Sequence, residues 1–256
     1  MLLLLAGLAN AQSSAPIHFD AISIKENLSG DEPGLLEIQP ESRRILATNV
    51  PMFRLIGFAF DRQRSDLIAG LPEWARQQRW DITATIAEES LPAFRSMSFA
   101  ERKGLLQDIL RNRCHLQAHL GKKTVPVYAL VIAKSGLKMK PSPPPGPEGH
   151  PNGWDITQTN GHMHGHDVPM DALLYMLTKV NLDRQVVDRT GLKDRYDFDL
   201  VWTPDELSNL AEPANGESKP PSIFTAMQEQ LGLRLEATKA EVDAVIVDHI
   251  ERPTPN

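Results

Sequence analysis

Val168-Pro169-Met170-Asp171-Ala172-Leu173-Leu174 stands 118 residues after Val50-Pro51-Met52-Phe53-Arg54-Leu55-Ile56, and both stretches open with Val-Pro-Met and continue to an apolar pair. Other blocks recur around them in the same order. Trp80-Asp81-Ile82 is echoed by Tyr196-Asp197-Phe198, and Leu105-Leu106 with Ile109 by Ile223-Phe224 with Met227. Leu116-Gln117-Ala118 matches Leu233-Arg234-Leu235, and Val127-Tyr128-Ala129-Leu130-Val131 matches Val242-Asp243-Ala244-Val245-Ile246. Ordered blocks with a slowly drifting offset point to one unit used twice.

The blocks read as secondary structure by their periodicity. In the second copy a strand at 163–168 leads to a helix opening at Pro169, where a missing N–H costs nothing. Leu173, Leu174 and Leu177 follow at helical spacing. A short strand, Gln185-Val186-Val187, a turn at Gly191 and an alternating strand from Tyr196 to Trp202 come next. Ser222 caps a helix that Gly232 stops, and 233–237 with 242–249 read as a closing hairpin. The first copy repeats the order behind an added strand, His18 to Lys25. The expected fold is therefore α+β: two tandem β-α-β-β-α-β-β units, each a sheet with helices packed on one face.

Domain boundaries follow from composition. Leu2 to Leu8 form an apolar run before Ala9-Asn10-Ala11, the small-x-small form of a signal-peptidase site, so 1–11 reads as a signal peptide, complete or truncated. The first lobe is expected over 17–140 and the second over 153–253, joined by a stiff proline-rich linker at 141–152. The polar stretch 206–221 is expected to be a surface loop. The leader predicts a periplasmic or secreted protein, and no later segment is apolar enough to span a membrane.

Charge divides unevenly. There are 18 Lys and Arg against 15 Asp and Glu before residue 153, and 9 against 18 from there on. Neither half carries the basic stripe that nucleic-acid binding requires. The asymmetry predicts that some of Arg43, Arg44, Arg62, Arg64, Arg76 and Arg79 face acidic groups such as Asp194, Asp197 or Asp199.

The motifs of common catalysts are missing: no Gly-x-Ser-x-Gly elbow, no His-Glu-x-x-His, no phosphate-cradling loop, no Cys-x-x-Cys. This weighs against an enzyme, although triads can be assembled from distant positions. Cys114, the single cysteine, sits between a helical and a strand pattern and reads as a buried structural thiol. His115 and His119 are expected to straddle a helix-to-strand break. Asp81 and Asp197, repeated after an aromatic, are expected to serve the fold. Trp74, Trp80, Trp154 and Trp202 read as core or groove surface.

One constellation stands apart. His162, His164 and His166 alternate through Gly161-His162-Met163-His164-Gly165-His166, and on a strand they share a face, about 6–7 Å apart per step. Two such imidazoles can converge on zinc or copper, with a third ligand from Asp167, His150 or elsewhere. The first copy has Arg44, Leu46 and Thr48 in those places, so the cluster is an addition to the shared frame.

Phe19 to Lys25, Ala47 to Val50, Val127 to Val131, Val187 to Leu192, Tyr196 to Phe198, Trp202 to Asp205 and Gln228 to Leu233 together resemble the soil-associated protein family, exported proteins of soil bacteria with no established function. The resemblance runs from about His18 to Pro253 and implies export and a two-copy architecture, with no catalytic residues to carry over. Each copy also looks weakly like the short N-terminal interaction domain of secretins and TonB-dependent receptors. The resulting expectation is an exported, non-catalytic binding or sensing module for a protein partner or small ligand. Its alternative is a metal protein or metal-dependent enzyme centred on His162, His164 and His166.

Overall fold

The computed structural model describes residues 16–30, 33–143, 155–159, 161–180, 182–204 and 219–253. The segment 1–11 expected to be a leader, most of the expected linker, His150, Trp154 and nearly all of the expected loop at 206–221 lie outside the described residues. The fold is α+β, and its two compact units divide the chain elsewhere than at 140 and 153. The first takes 1–123 and 241–256, the second 124–240.

In the first unit, β1 (Phe19–Asn27), β2 (Leu35–Glu37) and β3 (Arg44–Pro51) precede α1 (Met52–Ala59). Then come β4 (Ile68–Ala69), α2 (Glu73–Gln77), β5 (Arg79–Ile86), α3 (Leu91–Ser96) and α4 (Phe99–Cys114). β1, β5, β3 and β2 form an antiparallel sheet in that order. Along β5 the residues Trp80, Ile82, Ala84 and Ile86 are buried, while Asp81, Thr83 and Thr85 lie on the other face. The buried face packs with Leu55 and Ile56 of α1 and Leu106, Ile109 and Leu110 of α4 in one apolar core.

Proline stands one place earlier than expected: Pro51 is the N-cap of α1, extended at φ −69° and ψ 148°. α4 begins at a capping box, in which the Ser98 side chain accepts from Glu101 N–H and the Glu101 carboxylate accepts from Ser98 N–H. It ends at Cys114, with His115 left-handed at φ 48°. The break falls between His115 and His119, as the sequence suggests.

β6 (Gln117–Ile132) starts in the first unit and finishes in the second. The second unit continues with β7 (Lys140–Pro141), β8 (Asp155–Thr159), β9 (His162–Pro169), α5 (Met170–Leu177), β10 (Gln185–Asp188) and β11 (Arg195–Val201). α6 (Ile223–Ala226) passes into a π-helical turn, Met227–Leu231, and β12 (Leu233–His249) leaves for the first unit. The sheet here is antiparallel in the order β7-β11-β9-β8, over a core that includes Met163, Val168, Leu173, Phe198, Leu200, Trp202 and Leu231. Pro141, read as the start of the linker, is instead an edge-strand residue opposite Tyr196, where a proline removes no needed donor.

The closing hairpin is corrected. Residues 233–249 form one strand of 17 residues, as 117–132 form one of 16. Thr238-Lys239-Ala240-Glu241 has no glycine, proline or asparagine to turn on. β10 pairs in parallel with the end of β6 (Gln185↔Val127 to Asp188↔Leu130), and β4 with the end of β12 (Ile68↔Val245, Ala69↔Ile246). The first unit thus includes the end of β12 and the second the end of β6, which is why the units do not follow the boundaries expected at 140 and 153.

The two antiparallel sheets share one irregularity. Thr48 and Asn49 of β3 bulge opposite Asp81, and His166 and Asp167 of β9 bulge opposite Asp197. Asn49 and Asp167 are left-handed, at φ 55° and 53°. Asp81 Oδ1 accepts from Asn49 N–H at 2.8 Å, and Asp197 Oδ1 from Asp167 N–H at 2.8 Å. Each aspartate satisfies the backbone donor that its bulge takes out of the ladder.

Candidate functional site

The site is built on β9, which runs between β11 and β8. Its alternation buries Met163 and turns His162, His164 and His166 to the open face, with 47%, 61% and 46% of their side chains exposed. Gly165 lies on the covered side, where a Cβ would meet the Phe198 ring at 2.5 Å, so only glycine lets the strand approach that ring.

The antiparallel register sets carboxylates beside the imidazoles. Asp199 pairs with His164 across the ladder and Asp155 with His166, while Asp197 faces the bulge that His166 opens. Asp199 Oδ1 lies 2.6 Å from His162 Nε2 and 3.3 Å from His164 Nδ1. Asp197 Oδ1 lies 3.0 Å from His166 Nδ1 and also accepts from the Ser142 hydroxyl at 2.6 Å. Asp197 and Asp199, two of the aspartates expected opposite arginines, are thus engaged within their own sheet, because neighbouring strands of one ladder are nearer than any distant side chain. Arg43 pairs with Asp20 and Glu88, and Arg62 with Asp243.

Both carboxyl groups are held below the ordinary carboxylate range. For Asp199 the hydrogen bond from His162 is the main cause, and that from His164 adds to it against a smaller effect of burial. For Asp197 burial is the largest influence and pushes upward. The Asp167 N–H, the Ser142 hydroxyl and His166 together outweigh it.

Beside this row a cleft of about 350 Å³ is lined by Lys138, Lys140, His164, His166, Asp197 and Asp199, among others. Its volume lies at the lower end of small-molecule sites, and its lining presents charges of both signs. Asp167, read as a possible metal ligand, points elsewhere: it is buried and accepts from Arg195 Nε at 3.0 Å. Among the described residues no group of three or more His, Cys, Asp or Glu side chains stands ready to hold a metal ion.

The other singled-out residues serve structure. Cys114 is fully buried at the end of α4, and burial pushes its thiol up to about 12, so it is not a nucleophile near neutral pH. His115 and His249 hold the two oxygens of Glu251, at 3.1 and 2.9 Å, and His119 contacts Asp248 at 2.9 Å. Trp80 and Trp202 are core residues, and Trp74 packs edge-on against Trp80 at 6.1 Å.

The model of a family described as "Protein of unknown function (DUF3738)" matches residues 54–250, most of the chain. The chain belongs to DUF3738. No curated protein and no solved structure matches it. Among the described residues of this DUF3738 chain, no helix is long and apolar enough to cross a membrane.

Sequence reasoning picked out the three histidines but missed Asp199, Ser142, Lys138 and Lys140. A signal for Asp199 was present in the alternation Tyr196-Asp197-Phe198-Asp199-Leu200, which turns two carboxylates to one face. Their pairing with β9 depends on register, and alternation alone does not specify that.

Proposed function

We propose that this DUF3738 chain is an exported, non-catalytic binding module whose recognition surface is the open face of the β7-β11-β9-β8 sheet. The observation that carries the reading is the row of three exposed imidazoles, each against a carboxylate, beside a cleft of small-molecule size. Charged groups of both signs suit a small polar ligand that bears both an anionic and a cationic group, such as an amino acid or the end of a peptide. Lys138 and Lys140 would take the anion, and Asp197 and Asp199 the cation. The side chains sit on a sheet whose far face is core, so the surface needs no reorganisation to bind. The leader at 1–11 and the family resemblance support a periplasmic or secreted location, and the repeated sequence blocks and paired bulges support duplication of one unit.

The test is a thermal-shift screen of the full chain against amino acids and short peptides, repeated with Lys140→Ala and Asp197→Asn. A member that raises the Tm of the natural protein, and much less that of the variants, is the expected result. A screen with no member shifting the Tm, or a shift that both variants retain, removes the reading.

A further inference from the structure

We propose that His162, His164 and Asp199 form a surface site for one borderline divalent cation, zinc(II) or copper(II). The proposal rests on the same sheet face as the reading above and shares Asp199 with it, but it makes no use of Lys138, Lys140 or Asp197. Its starting point is the convergence of two imidazole nitrogens on one carboxylate oxygen, at 2.6 Å for His162 Nε2 and 3.3 Å for His164 Nδ1. Ligand atoms bound tetrahedrally at the usual zinc distances stand about 3.3 Å apart, so the His164 separation already matches and the His162 separation must open by less than about 1 Å. In the cation-free protein the short contact is a hydrogen bond. A cation would take the place of that bridging proton, and two exposed side chains turn to admit it without disturbing the core.

The donor chemistry agrees. Two neutral imidazoles and one carboxylate are the nitrogen and oxygen set that zinc and copper(II) prefer, and the open face leaves a fourth position to water. The backbone that carries the ligands is fixed, with β9 paired on both sides and Met163 and Leu200 anchored in the core beneath. The ligand set differs from a simple run of three histidines. His166 lies two strand steps from His162 and is engaged by Asp197 at the bulge, so the third ligand comes from β11.

The experiment is isothermal titration of the full chain, purified without a histidine tag and stripped with chelator, using Zn²⁺ and, separately, Cu²⁺. One equivalent should bind. His162→Gln, His164→Gln and Asp199→Asn should each weaken binding by about tenfold or more, while His166→Gln leaves it unchanged. Circular dichroism and thermal melting confirm that each variant is folded, and His162→Gln keeps a polar group of similar size where Asp199→Asn disturbs the sheet. Binding of neither ion, sub-stoichiometric binding, or an equal loss with His166→Gln overturns the site. Lys140→Ala separates the two readings: it should abolish the thermal shift from a small ligand and leave zinc affinity intact.

Discussion

At the scale of single residues, Asp81 and Asp197 hold the fold through the backbone. Each accepts the N–H of a left-handed bulge residue, a donor that the neighbouring strand does not take. Replacing Asp197 with Ala leaves that donor unpaired and should destabilise the second unit by about 1–3 kcal/mol, read from urea unfolding. Asp81→Ala should act likewise on the first unit. A change below a few tenths of a kcal/mol would mean that water replaces the carboxylate at no cost. Cys114 gives a second residue-scale expectation. Its folded thiol, at about 12 against an ordinary 9.0, favours the protonated form. That contribution to stability is fully present below pH 9.0 and is lost as pH rises towards about 12. A thiol reagent at pH 8 should therefore label Cys114 only after unfolding, and rapid labelling of the native protein would contradict its burial.

At the scale of elements, the β9–β11 ladder couples charge to folding. Asp197 and Asp199 have carboxyl groups lower in the folded protein than in the open chain, as does Glu251 between His115 and His249. The sign follows: a lowered carboxyl contributes stability above its ordinary range and loses it as pH falls through the folded value. Stability to urea should be steady near neutral pH and fall below about pH 4. Because the side chains are partly or well exposed, solvent and salt reduce the effect. Asp199→Asn should make the acid decline shallower, and an unchanged slope would show that this carboxylate is not coupled to folding. The helices depend on their ends rather than on sheet charge. Ser98 and Glu101 start α4 and Ser222 starts α6, where its hydroxyl accepts from Thr225 N–H.

At the scale of the whole molecule, the two units are assembled differently along the chain. The second is continuous from 124 to 240, whereas the first needs 241–256 in addition to 1–123. Val245, Val247 and Ile250 belong to the first unit's core, and Glu251 N–H donates to Cys114 C=O at 2.8 Å. A fragment of 124–240 should therefore melt cooperatively by circular dichroism. A fragment of 16–123 should not, unless 241–253 is supplied as a peptide or fused to it. Cooperative folding of 16–123 alone would show that the returning segment is dispensable.

Much of the architecture was legible from local pattern. Val-Pro-Met followed by spaced leucines announced β3–α1 and β9–α5, because apolar periodicity and proline at a helix start act over a few residues. The alternation of His162, His164 and His166 announced a shared exposed face, since a strand has a period of two. Local pattern was enough for the α+β class, the principal helices and strands, and the histidine row. Tertiary structure alone decided that the closing segments run straight as β6 and β12, that 241–256 returns to the first unit, and that Asp199 meets His162 and His164. These outcomes depend on which strands pair and in what register, and such contacts link residues about 35 to more than 100 positions apart, beyond the reach of local periodicity.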